Sequence, residues 1–119
     1  MPTVCVIDDN AIALNVVKSG LTALGWNVVC FDNALGVAFK IKQLNPAVVL
    51  VDVNMPRLSG QGLMRTLTSR VGPQNAKLLL HSDQPEEVLR TLASQTGAHG
   101  YTKKTSDPRA LDMAIRRFL

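Results

Sequence analysis

The chain has few of the features that mark membrane, disulfide-bonded or zinc-binding proteins. No apolar run approaches the length of a membrane span, and the start does not resemble a signal peptide. Of its 119 residues only two are cysteine and two are histidine, without Cys-x-x-Cys or metal-ligand spacing. These absences favour a cytoplasmic protein with no membrane partner and no disulfide or zinc framework.

Charged and aromatic residues give little sign of nucleic-acid binding. The 13 Lys and Arg against 9 Asp and Glu leave a net charge of +4, but the basic residues are scattered and only 4% of residues are aromatic. Such a surface argues weakly for an acidic partner and hardly at all for direct nucleic-acid contact. Because 46% of the residues are apolar and spread along the chain, we expect a single domain over residues 1–119.

The isolated cysteines and histidines form no pattern that indicates chemistry. Cys5 and Cys30 lie inside predicted strands, so we expect small buried residues with reduced thiols. His81 and His99 are expected to be structural or exposed.

Short apolar runs alternate with helical patterns along the chain. The runs predict five strands, at Val4–Ile7, Asn27–Phe31, Ala47–Val51, Lys77–Leu80 and Gly100–Thr102. After each run, apolar residues recur three or four positions apart, which predicts five helices. The expected helix boundaries are Asp9 or Asn10 and Gly25 for the first, Asp32 or Asn33 for the second, Pro85 with Glu86 and Glu87 for the fourth, and Asp107-Pro108 for the fifth.

This alternation predicts an α/β fold, a doubly wound parallel sheet with helices on both faces. The alternation alone does not give the strand order. Acidic residues follow strands one and three, and in the order 2-1-3-4-5 ligands bind between those two strands. The coincidence favours a five-stranded sheet of that order over a six-stranded nucleotide-binding arrangement.

Three carboxylates are predicted to converge at that point. Asp52 ends the third apolar run, and Asp8 and Asp9 end the first, so all three project from strand tips. Carboxylates at close range repel one another unless a cation lies between them. Asp9, Asp52 and a backbone carbonyl near Asn54 would suit Mg²⁺, which keeps several of its waters. The alternative is that Asp9 or Asn10 only caps the first helix.

Two further polar groups follow strands on the same edge. Ser82 comes after the fourth run, and its hydroxyl could donate to a phosphoryl oxygen or merely begin a turn. Lys103 and Lys104 follow the fifth run, where an ammonium would compensate the carboxylates. Exposure at the surface is the ordinary alternative for such lysines.

In order and approximate spacing, these residues resemble the receiver domain of two-component response regulators, which has a flavodoxin-like topology. The resemblance spans nearly the whole chain. Four motifs carry it, and they are Val6-Ile7-Asp8-Asp9-Asn10, Asp52-Val-Asn-Met-Pro with Gly60, Leu80-His81-Ser82, and Gly100-Tyr101-Thr-Lys-Lys104.

The resemblance implies a phospho-accepting function. Asp52 would take a phosphoryl group from a sensor histidine kinase or phosphotransfer protein, and a carboxylate nucleophile needs no general base. Ser82 and Lys104 would contact the phosphoryl oxygens, the family spacing selecting Lys104 over Lys103. Mg²⁺ would be the cofactor, and its implied ligands are Asp8, Asp9, Asp52 and the backbone carbonyl of Asn54.

The resemblance also implies a switch. Movement of Ser82 toward phosphorylated Asp52 would vacate space that Tyr101 can fill; the alternative is that Tyr101 only packs at the sheet edge. The surface of helix four, strand five and helix five would then contact a downstream protein, an attached output domain or a second copy of the chain. The basic residues expected on or near this surface are Lys103, Arg109 and Arg116.

The chain departs from the common family pattern at two positions. Asp83 replaces the small residue that usually follows the hydroxyl, and it either caps helix four or adds a negative charge that disfavours the phosphoryl group. Thr105 stands where proline often follows the lysine, so the loop after strand five would lack the cis bond that proline often supplies.

Two other functions remain open at this stage. The first is a receiver-like interaction module that is not phosphorylated, which Asp83 would favour. The second is a Mg²⁺-dependent phosphohydrolase with an aspartate nucleophile on strand one, but Asp8-Asp9-Asn10 lacks the Asp-x-Asp that it needs. A flavin-binding protein would need a hydroxyl-rich loop after strand one, which is missing. Since receivers only promote their own phosphorylation and dephosphorylation, we expect no conventional enzyme.

Overall fold

The computed structural model describes residues 2–55, 60–72 and 75–119. Strands and helices alternate through these residues, as the sequence predicts. In chain order they are β1 (Thr3–Ile7), α1 (Ala11–Ala23), β2 (Asn27–Phe31), α2 (Val37–Leu44), β3 (Val48–Asp52), α3 (Gly60–Arg70), β4 (Lys77–Ser82), α4 (Glu86–Thr96), β5 (Gly100–Lys103) and α5 (Pro108–Arg116). No helix in this part of the chain is long and apolar enough to cross a membrane.

The five strands pair in parallel in the order β2-β1-β3-β4-β5. This order confirms the predicted doubly wound α/β fold and excludes the six-stranded arrangement for the described sheet. Ile7 pairs with Val51, and Asp52 pairs with His81. The register therefore brings the carboxyl ends of β1, β3 and β4 to one edge, at the switch point between β1 and β3.

Both faces of the sheet are buried, which is why its central strands read as continuous apolar runs. Ile7 and Val51 belong to the core beneath α2, α3 and α4, whereas Val6 and Leu50 belong to the core beneath α1 and α5. Successive residues of one strand thus face opposite layers. The acidic residues Asp8 and Asp52 lie at the carboxyl ends of β1 and β3.

The starts of α1 and α5 lie at capping side chains that the sequence marks. Asn10 Oδ1 accepts hydrogen bonds from the N–H groups of Ile12 and Ala13, at 2.9 and 3.1 Å. Asp107 Oδ1 accepts from the N–H of Arg109 at 3.0 Å. Each cap satisfies helix donors only two or three residues away, so local sequence is enough to predict it.

The predicted cap of α2 is wrong. Asn33 Oδ1 accepts from the N–H of Leu35 at 3.0 Å, while Asp32 accepts from the Asn33 amide, so both side chains are used in a turn ahead of the helix. The helix begins at Val37, after Gly36 in the left-handed region at φ 66°. Glycine adopts that conformation readily, which lets the chain turn into α2 without a side-chain cap.

Asp83 does not cap α4, which excludes one of the two roles that the sequence leaves open for it. The helix begins at Glu86 after Pro85, and Glu86 and Glu87 lie in its first turn as the sequence indicates. Asp83 Oδ1 instead accepts from the side-chain amide of Asn54 at 3.3 Å. Its carboxylate is therefore used across two loops rather than within its own helix.

The two cysteines are free, but only one is fully buried. Cys5 lies in the core, where burial, with the nearby Cys30, raises its pKa to about 12. Cys30 is half-buried and its Sγ lies 3.9 Å from the Leu14 carbonyl oxygen. The expectation of a buried thiol therefore holds for Cys5 and only in part for Cys30.

Candidate functional site

The carboxyl ends of β1 and β3 bring three carboxylates together. Asp8 and Asp52 are each 2% exposed, and Asp9 is half-buried. One carboxylate oxygen from each of the three lies within 4.8 Å of the others. Side chains that are far apart in sequence thus form one acidic pocket, because parallel strands end at the same edge.

A lysine after β5 partly neutralises this pocket. Lys104 Nζ lies 3.1 Å from Asp8 Oδ2 and 3.4 Å from Asp52 Oδ2. Burial disfavours the Lys104 ammonium, but its hydrogen bond to Asp8 and the charges of both carboxylates outweigh burial and raise its pKa. Lys104 therefore stays charged, and its backbone N–H also donates to the Ser82 carbonyl at 2.8 Å.

Asp52 is held in an environment that disfavours its charge. Burial raises its pKa and the neighbouring Asp8 raises it further, while the Asn54 N–H, 3.0 Å from Asp52 Oδ1, and Lys104 lower it. The balance is a raised pKa. A carboxylate that water solvates poorly gains more than an exposed one from a bound cation.

Asn10 takes the capping role that the sequence left open between Asn10 and Asp9. Asp8 Oδ1 accepts from the Asn10 N–H at 2.9 Å, which orients the Asp8 carboxylate. Within the described chain, Asp9 makes no hydrogen bond or ion pair through its side chain, so its oxygens face the pocket without a protein partner.

Ser82 ends β4 and is fully buried. Its Oγ accepts from the Gln84 N–H at 3.1 Å. In this arrangement the hydroxyl begins a turn, which is one of the two roles that the sequence leaves open. Because the hydroxyl oxygen only accepts in this contact, its own hydrogen remains available to donate.

Two loops meet over the pocket through contacts that the sequence did not predict. Asn54 Nδ2 donates to Asp83 Oδ1 at 3.3 Å, and Gln84 Nε2 donates to Asn54 Oδ1 at 2.7 Å. Lys103 Nζ donates to the Asp83 carbonyl at 3.2 Å and to the Gln84 carbonyl. The unusual Asp83 was the only sequence signal for this network, and it did not identify the partners.

The remaining sequence candidates lie on β4, β5 and the loop after β5. His81 is buried and its Nδ1 lies 2.8 Å from Thr102 Oγ1; burial lowers its pKa to about 4. His99 Nδ1 accepts from the Leu78 N–H at 3.0 Å, so both histidines are structural. Tyr101 is half-buried beside a cleft of about 560 Å³.

The other positions that the sequence marks are Pro56, Gly60 and Thr105. Pro56 lies outside the described residues, while Gly60 begins α3. Thr105 Oγ1 accepts from the Asp107 N–H at 3.1 Å, so Thr105 supports the turn into α5. No peptide bond in the described ranges is cis, which agrees with the expectation for a loop without proline at this position.

The pocket fits a hard divalent cation. Asp8, Asp9 and Asp52 supply anionic oxygens within 4.8 Å of one another, and two of the three are almost fully buried. Hard cations prefer oxygen ligands of this kind. The side chain of Asn54 points to Asp83 and Gln84, which leaves its backbone carbonyl as the group it would offer.

The parallel sheet and its pocket define an α/β domain with three clustered carboxylates at the carboxyl ends of β1 and β3, two of them almost fully buried. The chain belongs to the response regulator receiver domain family, whose family model matches residues 4–116. Receiver domains are the signalling modules of two-component systems. The family match supports neither the phosphohydrolase nor the unphosphorylated module.

Similar proteins agree with this assignment. The probable transcriptional regulator ycf27 of Pyropia yezoensis is 26% identical over 116 residues, which are 98% of this chain and 46% of that protein. The chain thus spans about half the length of the curated relatives it matches. Chemotaxis protein CheY4 of Vibrio cholerae has the same fold, with a TM-score of 0.89, 21% identity and coverage of 100% of this chain and 99% of that one.

A further solved structure is a response regulator protein from Burkholderia pseudomallei, described with a phosphorylated aspartic acid, a calcium ion and citrate. It is 22% identical with a TM-score of 0.82, over 97% of this chain and 66% of that chain. At this identity the likeness establishes the fold.

Proposed function

We propose that Asp52 accepts a phosphoryl group from the phosphohistidine of a sensor histidine kinase or phosphotransfer protein. The observation that carries the proposal is the position of Asp52 at the tip of β3, buried beside Asp8 and within 3.4 Å of Lys104. In the transfer, an Asp52 oxygen forms a bond to phosphorus while the bond from phosphorus to the donor nitrogen breaks, its electron pair returning to that nitrogen.

The protein groups act by positioning and charge. Lys104 stabilises negative charge on the transferred oxygens, and its contacts with Asp8 and Asp52 already hold it at the acceptor. Ser82 moves toward Asp52 and donates its hydroxyl hydrogen to a phosphoryl oxygen; in its present position its oxygen accepts from the Gln84 N–H. Asp52 requires no general base, because it attacks as a carboxylate.

Mg²⁺ is the cation that we propose for the pocket, held by Asp8, Asp9, Asp52 and the Asn54 carbonyl. When bound, it neutralises charge on the carboxylates and on the phosphoryl oxygens. The calcium ion described with the phosphorylated Burkholderia pseudomallei protein supports a divalent cation at such a site. So few protein ligands make a weak site, which the phosphoryl oxygens would complete.

The partners of the whole protein follow from the same proposal. The kinase reaches the pocket from the open edge of the sheet, and the response goes to a downstream protein, an attached output domain or a second copy of the chain. The responding surface is α4, β5 and α5, with Tyr101 as its switching side chain. We further propose that residues 1–119 form one domain, that it works in the cytoplasm without binding nucleic acid directly, and that it is not a conventional enzyme.

Acetyl phosphate with Mg²⁺ tests the phosphoacceptor directly. Intact mass should show one added phosphoryl group on the wild type and none on Asp52→Ala, because Asp52 alone of the three pocket carboxylates ends β3 and is followed by the Met-Pro and Gly60 of the motif. Asp107→Asn is the matched control, since asparagine caps a helix as well as aspartate does, and it should be modified like the wild type. Modification that persists in Asp52→Ala would overturn the assignment.

A further inference from the structure

Lys103 makes an unusual contact beside the pocket. Although its side chain is exposed, Nζ donates to the carbonyl oxygens of both Asp83 and Gln84. These two residues lie in the loop between β4 and α4, directly after Ser82. A strand residue of β5 therefore holds the loop that carries the Ser82 hydroxyl.

The same loop is held from the opposite side. Asn54, in the loop after β3, donates through its amide to Asp83 and accepts through Oδ1 from Gln84. The β4–α4 loop is thus bonded to two neighbouring loop or strand segments, by side-chain contacts from Asn54 and from Lys103. We call these four residues the clasp: Asn54, Asp83, Gln84 and Lys103.

The clasp acts on the hydroxyl through Gln84. Ser82 Oγ accepts from the Gln84 N–H at 3.1 Å, so a Gln84 held by Asn54 and Lys103 keeps the hydroxyl in its turn. Ser82 itself is fully buried and cannot reorient freely without movement of this loop. If Ser82 moves toward a group on Asp52, as in the function proposed above, the loop that follows it must move as well and loosen at least one of these contacts.

We propose that Lys103 is a positioning residue that holds the clasp closed, so that the clasp opposes occupancy of the pocket and sets how readily a phosphoryl group is accommodated. The proposal rests on the function proposed above for Asp52 and Ser82. A closed clasp should weaken binding of a phosphoryl group or its mimic. The apparent affinity falls in proportion to the fraction of molecules in the binding-competent state.

This proposal makes a prediction opposite in sign to simple electrostatics. Lys103 carries a positive charge near a site for an anion, so charge alone says that its removal weakens anion binding. If Lys103 closes the clasp, its removal frees the loop and strengthens binding. The sign of the change in a variant that removes both the charge and the donor, Lys103→Met, separates the two effects. Lys103→Arg keeps the charge and can still donate to both carbonyls, so it is the conservative control.

The first measurement needs no ligand. Amide hydrogen exchange should be faster at Gln84 in Lys103→Met than in the wild type, roughly three- to tenfold, as the loss of one hydrogen-bonding group allows. Exchange at Leu50, in the buried centre of β3, should be unchanged if the fold is intact. Lys103→Arg should resemble the wild type, and so should Lys42→Met, which removes an exposed lysine on α2.

The second measurement titrates the same proteins with beryllofluoride at fixed Mg²⁺, followed by NMR. The apparent dissociation constant of Lys103→Met should fall several-fold below that of the wild type. Unchanged exchange at Gln84 together with equal or weaker binding would overturn the clasp. Failure of the wild type to bind beryllofluoride at all would count against the proposed function instead, while the exchange result would still decide the clasp.

Discussion

At the scale of single residues, the buried position of Asp52 suits its proposed role as phosphoacceptor but destabilises the folded protein. Its carboxylate is buried beside Asp8, and burial is the main cause of its raised pKa. Lys104, 3.4 Å away, offsets this only in part because it also pairs with Asp8. A buried charge with incomplete compensation destabilises the folded state.

We therefore expect Asp52→Asn to raise the free energy of unfolding at pH 7, by roughly 1 kcal/mol. A raised folded-state pKa means that the penalty is present at neutral pH and is lost as pH falls through that pKa, so the gain should shrink in acid. Urea unfolding of both proteins at several pH values measures this difference in stability and its pH dependence. Asp107→Asn, an exposed change, should leave stability unaltered, and a less stable Asp52→Asn would contradict the explanation.

His81 gives a second residue-scale prediction, on pH. Burial lowers its pKa to about 4, against about 6.5 in an unfolded chain. The folded state therefore binds a proton at His81 less readily than the unfolded state does. The stability that neutral His81 contributes is complete above pH 6.5 and is lost as pH falls toward 4. The loss from this one group should be about 2 kcal/mol between pH 6.5 and 5.

The variant His81→Asn isolates that contribution. Asparagine can keep a polar atom toward Thr102 but does not titrate, while every carboxylate titrates as before. The wild type should lose more stability than His81→Asn over the same pH range, as measured by urea unfolding. Parallel pH profiles for the two proteins would show that His81 is not the cause.

At the scale of secondary-structure elements, α1 and α5 approach each other at a glycine. A Cβ added at Gly20 would lie 2.6 Å from Pro108 Cβ and 3.3 Å from its Cγ. The proline ring is rigid and begins α5, so the neighbour cannot move aside without shifting that helix. The absence of a side chain at Gly20 therefore sets the spacing of the two helices.

We expect Gly20→Ala to destabilise the protein by about 1 kcal/mol, because overpacking costs more than the roughly 1 kcal/mol gained in helix propensity. Ser19→Ala, at the exposed neighbouring position, should give a small gain or no change. Thermal unfolding of both variants makes the comparison. A Gly20→Ala protein more stable than the wild type would mean that the helices separate freely.

At the scale of the whole molecule, the pocket must communicate with the α4-β5-α5 surface if the proposed switch operates. Tyr101 lies on β5, is half-buried, and lines a cleft together with residues of α5. Ligand binding can shift its conformation only if the two arrangements differ in contact energy. Release of Ser82 from its turn would supply that difference.

Beryllofluoride with Mg²⁺ should therefore change the NMR signals of Tyr101 and α4 as well as those around Asp52. The Trp26 Nε1–H, which donates to Asp112 at 2.6 Å in the opposite layer, should change little and serves as an internal reference. Changes confined to the Asp52 loop would show a filled pocket that is not coupled to this surface. The output would then use another face.

The sequence by itself determined the features that depend on local pattern. Continuous apolar runs predict buried parallel strands, and the strand-helix alternation with acids after strands one and three predicts the order that the sheet adopts. Asn10 and Asp107 mark helix starts because a cap bonds to groups two or three residues away. The receiver family was identified from the same strand-end residues.

Tertiary structure alone decided which polar side chains meet. Lys104 reaches Asp8 across 96 residues of sequence, and Asn54 reaches Asp83 across 29. The failure of Asp83 to cap α4 has the same origin: a local rule allows a helix cap there, but a neighbouring loop supplies an amide donor. Such contacts depend on how strand ends align at one edge of the sheet, and spacing along the chain does not encode that alignment.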